Sequence, residues 1–232
     1  TTGELVWQTS PDDHHSATLT GTPAFANGNL YVPVSSLEVV TAANPEYACC
    51  TFRGHVMAVN GDDGSVLWDS YAIPNPPIST GDTAAGTKIF APSGAPVWTS
   101  PTIDIDLNLL IFGTGENYSS PADQNSDAVI AVRLDTGERL WSRQTFPDDA
   151  WNVACMMVDN PNCPEEDGPD YDQASSPLLV DIGEGKTVVV AGQKDGRVFA
   201  LDWETGQNKL WEVKLGRGSI QGGVHFGMAA DG

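Results

Sequence analysis

Short apolar runs, separated by turns rich in Gly, Asp and Thr, repeat along the whole chain. Runs of four or five residues dominated by Val, Leu, Ile, Phe and Ala are typical of β-strands, and they occupy residues 30–34, 109–113, 129–132, 187–191 and 198–201. No segment of ten or more residues shows the 3.6-residue apolar period of an amphipathic helix. The pattern therefore predicts an all-β protein built from short strands.

One hairpin pattern occurs four times: an apolar run, a polar turn with Gly, and a Trp two or three residues later. The copies occupy residues 2–7, 58–68, 131–141 and 200–211. Gly supplies the positive φ that a tight reversal needs, and each period has room for about four strands, as in a propeller blade. We expect the repeated tryptophans to pack one blade against the next: Trp7, Trp68, Trp141 and Trp211. About four periods predict part of a larger ring.

The two ends of the chain look like positions inside a longer sequence. Residues 1–7 contain no initiator Met and no signal-peptide pattern, and residues 228–232 stop in a turn-like pair. We therefore expect one domain, residues 1–232, that is a partial propeller truncated at both ends. A signal peptide lost in this way leaves no trace, so its absence does not indicate the cytoplasm.

The composition narrows the classes of partner. The chain of 232 residues has 31 Asp and Glu against 11 Lys and Arg, a formal net charge of −20. Such a charge repels phosphate backbones and anionic lipid surfaces, which disfavours nucleic-acid binding and a polybasic membrane anchor. No run of about 18 apolar residues is present, so no membrane-spanning helix is predicted.

The repeated hairpin, Ala-x-Asp-x-x-Thr-Gly-x-x-x-Trp, resembles that of the quinoprotein alcohol dehydrogenases, whose eight-bladed propeller binds pyrroloquinoline quinone (PQQ). The resemblance covers nearly the whole chain, and residues 34–38, 49–54, 115–121 and 149–152 are most similar to the polyvinyl-alcohol dehydrogenase branch. It implies a PQQ-type propeller that oxidises an alcohol, polymeric in that branch, by hydride transfer to PQQ with Ca²⁺. It also implies a cytochrome c as electron acceptor and a periplasmic or secreted location.

A PQQ site needs an aromatic surface, cations for three carboxylates, a Lewis acid and a base. Trp98 lies outside the repeated hairpin position, and the resemblance makes it the floor beneath the quinone. Lys194 occupies the place of a cation that donates to the quinone oxygens and stabilises the charge that develops there. Arg53 is a candidate partner for a PQQ carboxylate through its planar guanidinium.

The expected metal ligands and base come from three loops. The resemblance makes Glu38 a carboxylate ligand of Ca²⁺, and the second ligand is either Glu116, by counting from Trp98, or Asn117, by residue type. A lanthanide ion would need an extra carboxylate, and both metals stay open. Asp149 lies in a Pro-x-Asp-x-Trp context that matches the catalytic Asp of the family, so it is the predicted base.

The four cysteines form two close pairs. Cys155 and Cys163 bracket seven residues and suit a local disulfide, which favours an oxidising compartment. Cys49 and Cys50 are adjacent, and a trans peptide would hold their Cα atoms below the usual disulfide range. Some resembled enzymes carry such a vicinal bridge over the quinone, which makes this pair a candidate cofactor contact.

The remaining candidate groups are expected to have minor roles. Asp170 and Asp172 are predicted to lie in a solvated loop rather than to form a second calcium site, and His14 is predicted to lie in a surface loop. His225 is a candidate contact on the substrate side. Two other functions stay open: a non-enzymatic propeller scaffold of the outer-membrane assembly lipoprotein type, and a PQQ-dependent sugar dehydrogenase. The scaffold would need only the Trp hairpins.

Overall fold

The structure is a computed structural model that describes residues 2–231. Its first sheet contains five strands, namely β1 (Ala17–Thr18), β2 (Ala24–Ala26), β3 (Asn29–Ser36), β4 (His55–Asn60) and β5 (Val66–Tyr71). A separate hairpin follows, formed by β6 (Ile78–Asp82) and β7 (Lys88–Ala91). The connection between β3 and β4 begins with a single helical turn, α1 (Glu38–Thr41).

The second and third sheets have four strands each. The second consists of β8 (Thr102–Asp104), β9 (Leu109–Gly113), β10 (Ala128–Arg133) and β11 (Arg139–Gln144). The third consists of β12 (Leu178–Asp181), β13 (Thr187–Gly192), β14 (Arg197–Asp202) and β15 (Lys209–Lys214). All strand pairs within these sheets are antiparallel. One 3-10 helix, Val153–Met156, lies in the long connection between them.

This architecture confirms the prediction of an all-β chain of short strands in blade-like units. The repeats predicted about four blades. Residues 2–231 contain three sheets of four or five strands, besides the two-stranded sheet of β6 and β7. The copy at residues 2–7 forms no strand, and its Leu5 and Val6 are exposed. This copy contributes a Trp to the packing and no hairpin.

Trp68 and Trp141 join successive blades, as predicted, whereas Trp211 on β15 is 47% exposed and docks on no further blade among residues 2–231. The indole N–H of Trp68 donates to the Leu134 carbonyl oxygen at 3.3 Å, and that of Trp141 donates to the Trp203 carbonyl oxygen at 2.9 Å. Gly137, with φ of +70°, lies under the Trp68 ring, where a Cβ would come within 2.6 Å of it. The repeat therefore keeps Gly for its backbone conformation and also for the space that the docked indole takes.

The middle sheet is buried on both faces because it lies between the other two. Leu110 and Phe112 of β9 pack in the cluster shared with the first sheet, whereas Leu109 and Ile111 pack in the cluster shared with the third. Successive strand residues point to opposite faces, so a strand packed on both sides is apolar throughout. This explains the unbroken apolar run at residues 109–113.

The long connections all emerge at one edge of the sheets. The segment after β9, the turn after β13, and the segments that precede β8 and β12 meet there because consecutive strands are antiparallel. The turns between β8 and β9 and between β12 and β13 lie at the opposite edge. Polar residues from the long connections are thereby collected into one region. No helix among residues 2–231 is long and apolar enough to cross a membrane.

Candidate functional site

A cavity of about 530 Å³ opens at the edge where the long connections meet. Its charged wall carries Glu116 from the segment after β9, Lys194 from the turn after β13, and Asp170 and Asp172 from the segment before β12. Trp98, from the segment before β8, lines the same space. The structure thus brings together three predicted site residues, namely Trp98, Lys194 and Glu116, with two aspartates that were predicted to be solvated.

Asp172 is the buried centre of this wall. One of its carboxylate oxygens accepts the indole N–H of Trp98 at 2.8 Å, and the other accepts the backbone N–H of Glu116 at 3.1 Å. Gly115 allows this approach, since a Cβ there would lie 2.9 Å from an oxygen of Asp172. Burial would raise the pKa of Asp172, but attraction to Lys194 and hydrogen bonds from its neighbours hold it below its ordinary value. Asp172 therefore fixes the orientation of the Trp98 ring.

Lys194 is almost fully buried, and it is paired with two carboxylates. Its Nζ lies 2.8 Å from Oδ1 of Asp170 and 2.9 Å from Oδ2 of Asp172. Burial alone would lower the pKa of Lys194, but the carboxylates of Asp172, Asp170 and Glu116 raise it above its ordinary value. The ammonium group therefore stays charged, and it lies 5.5 Å from the centre of the Trp98 ring.

Three carboxyl groups share this wall with only one ammonium group. One oxygen each of Glu116, Asp170 and Asp172 lies within 4.8 Å of the others, and all three residues are buried. Burial, followed by repulsion from Asp172, raises the pKa of Asp170 to about 9 and raises that of Glu116 well above its ordinary value. Burial and crowding therefore favour the protonated forms of Asp170 and Glu116, and a hard cation bound here would favour their ionised forms.

Asp149, the predicted base, does not reach the cavity. Its side chain is fully buried, and its two carboxylate oxygens accept the backbone N–H groups of Asp170 at 3.2 Å and Tyr171 at 2.8 Å. Burial raises the pKa of Asp149 to about 6, although those N–H donors oppose the increase. The carboxylate of Asp149 therefore holds the loop that presents Asp170 and Asp172.

Glu38, a predicted metal ligand, lies outside the carboxylate cluster. It is fully buried at the start of α1, and its carboxylate accepts the Tyr47 hydroxyl at 2.7 Å and the Phe52 backbone N–H at 2.8 Å. His14 Nε2 lies 3.5 Å from the same carboxylate, so His14 is not in a free surface loop as predicted. Burial would raise the pKa of Glu38, but His14 and the N–H donors hold it below its ordinary value. These contacts occupy the carboxylate and tie α1 to the following loop.

Asn117, the alternative to Glu116, is turned away from the cavity. Its amide nitrogen donates to the Ser93 carbonyl oxygen at 2.9 Å, and its amide oxygen accepts the Asp123 backbone N–H at 2.7 Å. The side chain is fully buried, so its hydrogen bonds hold the loop after β9. Of the two candidates, the cavity therefore receives Glu116.

Arg53 and the vicinal cysteines also lie apart from this cavity. The Arg53 guanidinium donates to the carbonyl oxygens of Ile73 and Pro74 and lies 4.0 Å from the centre of the Tyr71 ring. Cys49 and Cys50 form a disulfide and are joined by a cis peptide rather than the trans peptide assumed from the sequence. Cys49 lines a different cavity of about 420 Å³. The predicted local disulfide between Cys155 and Cys163 is present.

Two further residues complete the surroundings of the site. The ring of His225 lies edge-on to that of Trp98, with centroids 5.3 Å apart, and lines the cavity as predicted. Asp127 is fully buried, and neither of its carboxylate oxygens has a hydrogen-bond partner among residues 2–231. Burial, together with repulsion from Asp149, raises the pKa of Asp127 well above its ordinary value, which favours the protonated form of this carboxyl.

Comparison with known proteins identifies relatives over nearly the whole chain. Polyvinylalcohol dehydrogenase of Pseudomonas sp is 36% identical over 230 residues, covering 99% of this chain and 36% of that protein. The protein of the same name from Sphingopyxis sp. (strain 113P3) is 35% identical over 232 residues, with the same coverage. The chain thus spans about a third of the length of the curated relatives it matches.

Solved structures share the fold at lower identity. The quinohemoprotein alcohol dehydrogenase ADHIIG from Pseudomonas putida HK5 superposes with a TM-score of 0.65 at 23% identity, covering 92% of this chain and 30% of that one. The model of the family described as "PQQ: Glucose/ethanol/alcohol dehydrogenase, beta-propeller domain" matches residues 4–217. Three blade-like sheets joined through repeated tryptophans, with a family match over nearly all of them, place this chain in the PQQ-dependent glucose/ethanol/alcohol dehydrogenase β-propeller family.

Proposed function

We propose that the protein from which this chain comes is a PQQ- and cation-dependent alcohol dehydrogenase that acts on polyvinyl alcohol. The observation that carries the proposal is the wall in which a buried lysine, three carboxyl groups and a fixed indole face one cavity. A propeller that serves only as a scaffold has no need of three carboxyl groups and an ammonium group buried together, because burying ionisable groups is unfavourable for folding.

The residues of the cavity fit PQQ. A volume of about 530 Å³ is in the range of pockets that hold small cofactors. The indole of Trp98, held by Asp172, offers a flat apolar surface for a tricyclic ring, and Lys194 offers a positive charge beside it. The quinone carboxylates can be met by hydroxyl groups that line the same cavity, namely those of Thr18, Thr20, Ser35, Ser36 and Tyr118.

The same wall fits a hard cation. With all three carboxyls ionised and Lys194 protonated, two negative charges remain in excess, which a divalent ion balances. Carboxylate oxygens are the ligands that Ca²⁺ prefers. We propose Glu116 and Asp170 as ligands, with Asp172 as the extra carboxylate that a lanthanide ion would need. Glu38 and Asn117 are given structural roles instead, because neither side chain belongs to the carboxylate cluster or lines the cavity.

Asp170 is the proposed base in place of Asp149. Asp170 lines the cavity, whereas the carboxylate of Asp149 is sealed behind it against two backbone N–H groups. A group that takes a proton from the substrate hydroxyl must lie within hydrogen-bond reach of it. When bound, PQQ supplies the electron-pair acceptor, and the cation supplies positive charge that keeps the carboxylates ionised. Lys194 then holds Asp170 in place through its 2.8 Å contact.

The substrate, acceptor and location follow from the relatives and the cysteines. Two relatives carry the name polyvinylalcohol dehydrogenase, which favours a polymeric secondary alcohol over a sugar. We propose a cytochrome c as electron acceptor, a partner that appears in the name of another relative, lupanine 17-hydroxylase [cytochrome c] of Pseudomonas sp. Two disulfides support an oxidising compartment, and we propose the periplasm or the cell exterior.

Reconstitution tests the proposal. The full-length protein, freed of bound cofactor and metal, is supplied with PQQ and with either Ca²⁺ or La³⁺, and dye-linked oxidation of a secondary alcohol is followed. We expect turnover that requires both PQQ and one of the two ions. Absence of both PQQ binding and turnover with either ion would favour the scaffold. Faster oxidation of glucose than of any secondary alcohol would favour the sugar dehydrogenase.

A further inference from the structure

Exposed apolar side chains lie on and next to α1 and the 3-10 helix Val153–Met156, which pack against each other near the cavity, and we call this set of residues the platform. It consists of five residues with exposed side chains: Leu37, Val40, Met156, Met157 and Val158. Val158 is 93% exposed and Met156 is 72% exposed. Contiguous exposed apolar surface of this kind marks a binding site more often than chance. The platform is separate from the strand faces and belongs to the long connections that form the cavity edge.

The platform is continuous with the cavity. Leu37 lines the cavity and also belongs to the platform. Trp151, which begins the segment that leads to Met156, lines the cavity as well. Each of the two segments that carry the platform therefore has a residue that lines the cavity.

The platform is held rigidly. The Asn162 side chain donates to the carbonyl oxygens of Ala42, Asn44 and Tyr47 at 2.9 to 3.1 Å, which pins the loop against the end of α1. The disulfide between Cys155 and Cys163 closes the same loop. An apolar loop fixed at two points loses little conformational entropy when a ligand binds to it.

The five platform residues carry no charge, although the exposed Asp159 directly follows Val158 and the chain has a net charge of −20. Glu38 is the one charged residue within 36–44, and it is fully buried, while residues 150–158 contain none. An uncharged chain with a hydrocarbon backbone suits such a surface, whereas a charged polymer gains nothing from it. Polyvinyl alcohol has this chemistry, because its methylene groups alternate with carbons that bear hydroxyls.

We propose that the platform binds the hydrocarbon backbone of a polymeric alcohol and guides one hydroxyl-bearing carbon into the cavity. This inference rests on the proposed function and adds the residues that select a long chain over a short alcohol. Substrate binding outside the reacting centre predicts an effect on KM for the polymer and none on the oxidation of a short alcohol that fits inside the cavity.

The test compares two substrates and matched variants of the full-length protein, loaded with PQQ and Ca²⁺. Met156→Glu and Val158→Glu place a charge on the platform, and Ile182→Glu is the control. Ile182 is 57% exposed in the turn between β12 and β13, at the opposite edge of the sheets from the cavity. The substrates are polyvinyl alcohol and 2,4-pentanediol, which has the spacing of hydroxyls found in the polymer.

We expect KM for polyvinyl alcohol to rise about tenfold in both platform variants, with kcat for 2,4-pentanediol within about twofold of wild type and the control unchanged. An unchanged KM for polyvinyl alcohol would overturn the inference. The KM would also stay unchanged if another part of the full-length protein covers the platform, and the inference would be wrong in that case too. Binding of fluorescently labelled polyvinyl alcohol without cofactor gives a second measurement. Binding lost in Met156→Glu, in a protein without turnover, would uphold the platform and contradict the proposed function alone.

Discussion

Exchanging one aspartate at a time for asparagine distinguishes the proposed base from the residue that positions it. Asp170→Asn removes a carboxylate that faces the cavity, and Asp149→Asn removes one that is sealed behind it. Both substitutions are nearly isosteric and remove one negative charge. We predict a large loss of turnover for Asp170→Asn and a small one for Asp149→Asn, although the sequence motif pointed to Asp149 as the base.

The magnitudes follow from the contacts of each carboxylate. General-base catalysis contributes about 10² to 10⁴ in rate, so Asp170→Asn should lower kcat by at least about a hundredfold, or about 3 kcal/mol. Asp149 accepts two backbone N–H groups, at 3.2 and 2.8 Å, and an amide oxygen still accepts at least one of them. Exchanging a charged acceptor for a neutral one weakens such a hydrogen bond by about half, or about 1 kcal/mol, so kcat should fall by less than about tenfold.

The assay is the steady-state kcat of full-length variants, each saturated with PQQ and Ca²⁺, with PQQ binding followed by quenching of Trp fluorescence. Asp149→Asn is the matched control for Asp170→Asn, because it changes the same functional group at a buried position that does not line the cavity. A variant Asp149→Asn that loses turnover completely while Asp170→Asn stays active would refute the assignment. Equal losses in both would show that the loop, rather than either carboxylate, limits the rate.

Three further predictions concern stability, each measured by urea unfolding of the full-length protein. Replacing Cys155 and Cys163 by Ser opens the loop between them and should lower the free energy of unfolding by about 2.5 kcal/mol, whereas no change would show that the bridge is dispensable. Trp141→Ala removes an indole that docks on the next blade and should lower it by about 3 to 5 kcal/mol; a loss below about 1 kcal/mol would contradict the docking role. Burial raises the pKa of Asp127, so the protonated carboxyl stabilises the folded state below about pH 4. This stabilisation is lost as the pH rises toward the folded-state pKa. Asp127→Asn should therefore match the wild type near pH 4 and exceed it by about 1 to 3 kcal/mol at pH 8, and an equal difference at both pH values would contradict this.

The fold was largely predictable because its determinants are local. Each hairpin carries its own turn Gly and its Trp, so the repeat could be identified without long-range information. The first copy misled the count of blades because its Trp7 packs on the turn of the next hairpin, with its indole N–H 2.9 Å from the Gly61 carbonyl oxygen, although residues 2–7 form no strand. A docking Trp is thus not a reliable marker of a strand.

The site was predictable only in part, because the long connections decide which side chains face the cavity. Trp98 and Lys194 lie close to strand ends, where the edge of a sheet fixes their position. Asp149 was predicted as the base because the sequence motif of the family surrounds it, and Asp170 was predicted to lie in a solvated loop, but the chain brings Asp170 to the cavity and leaves Asp149 buried. One signal was available in the sequence. Lysine is rarely buried without a partner, and in a chain with few basic residues the carboxylates of the Asp-Tyr-Asp triplet at 170–172 were available to pair with Lys194.

The most direct test of the account is whether one ion binds at the carboxylate cluster beside Trp98. Tb³⁺ bound by Glu116, Asp170 and Asp172 would lie close to the indole whose N–H is 2.8 Å from Asp172, so excitation of Trp should sensitise its luminescence. In the full-length protein freed of metal, we predict sensitised emission that saturates at one ion per chain, is displaced by excess Ca²⁺ and is lost in Glu116→Ala, with Glu38→Gln as the control that retains it. Emission that is equal in wild type and Glu116→Ala, or that is lost only in Glu38→Gln, would contradict the account.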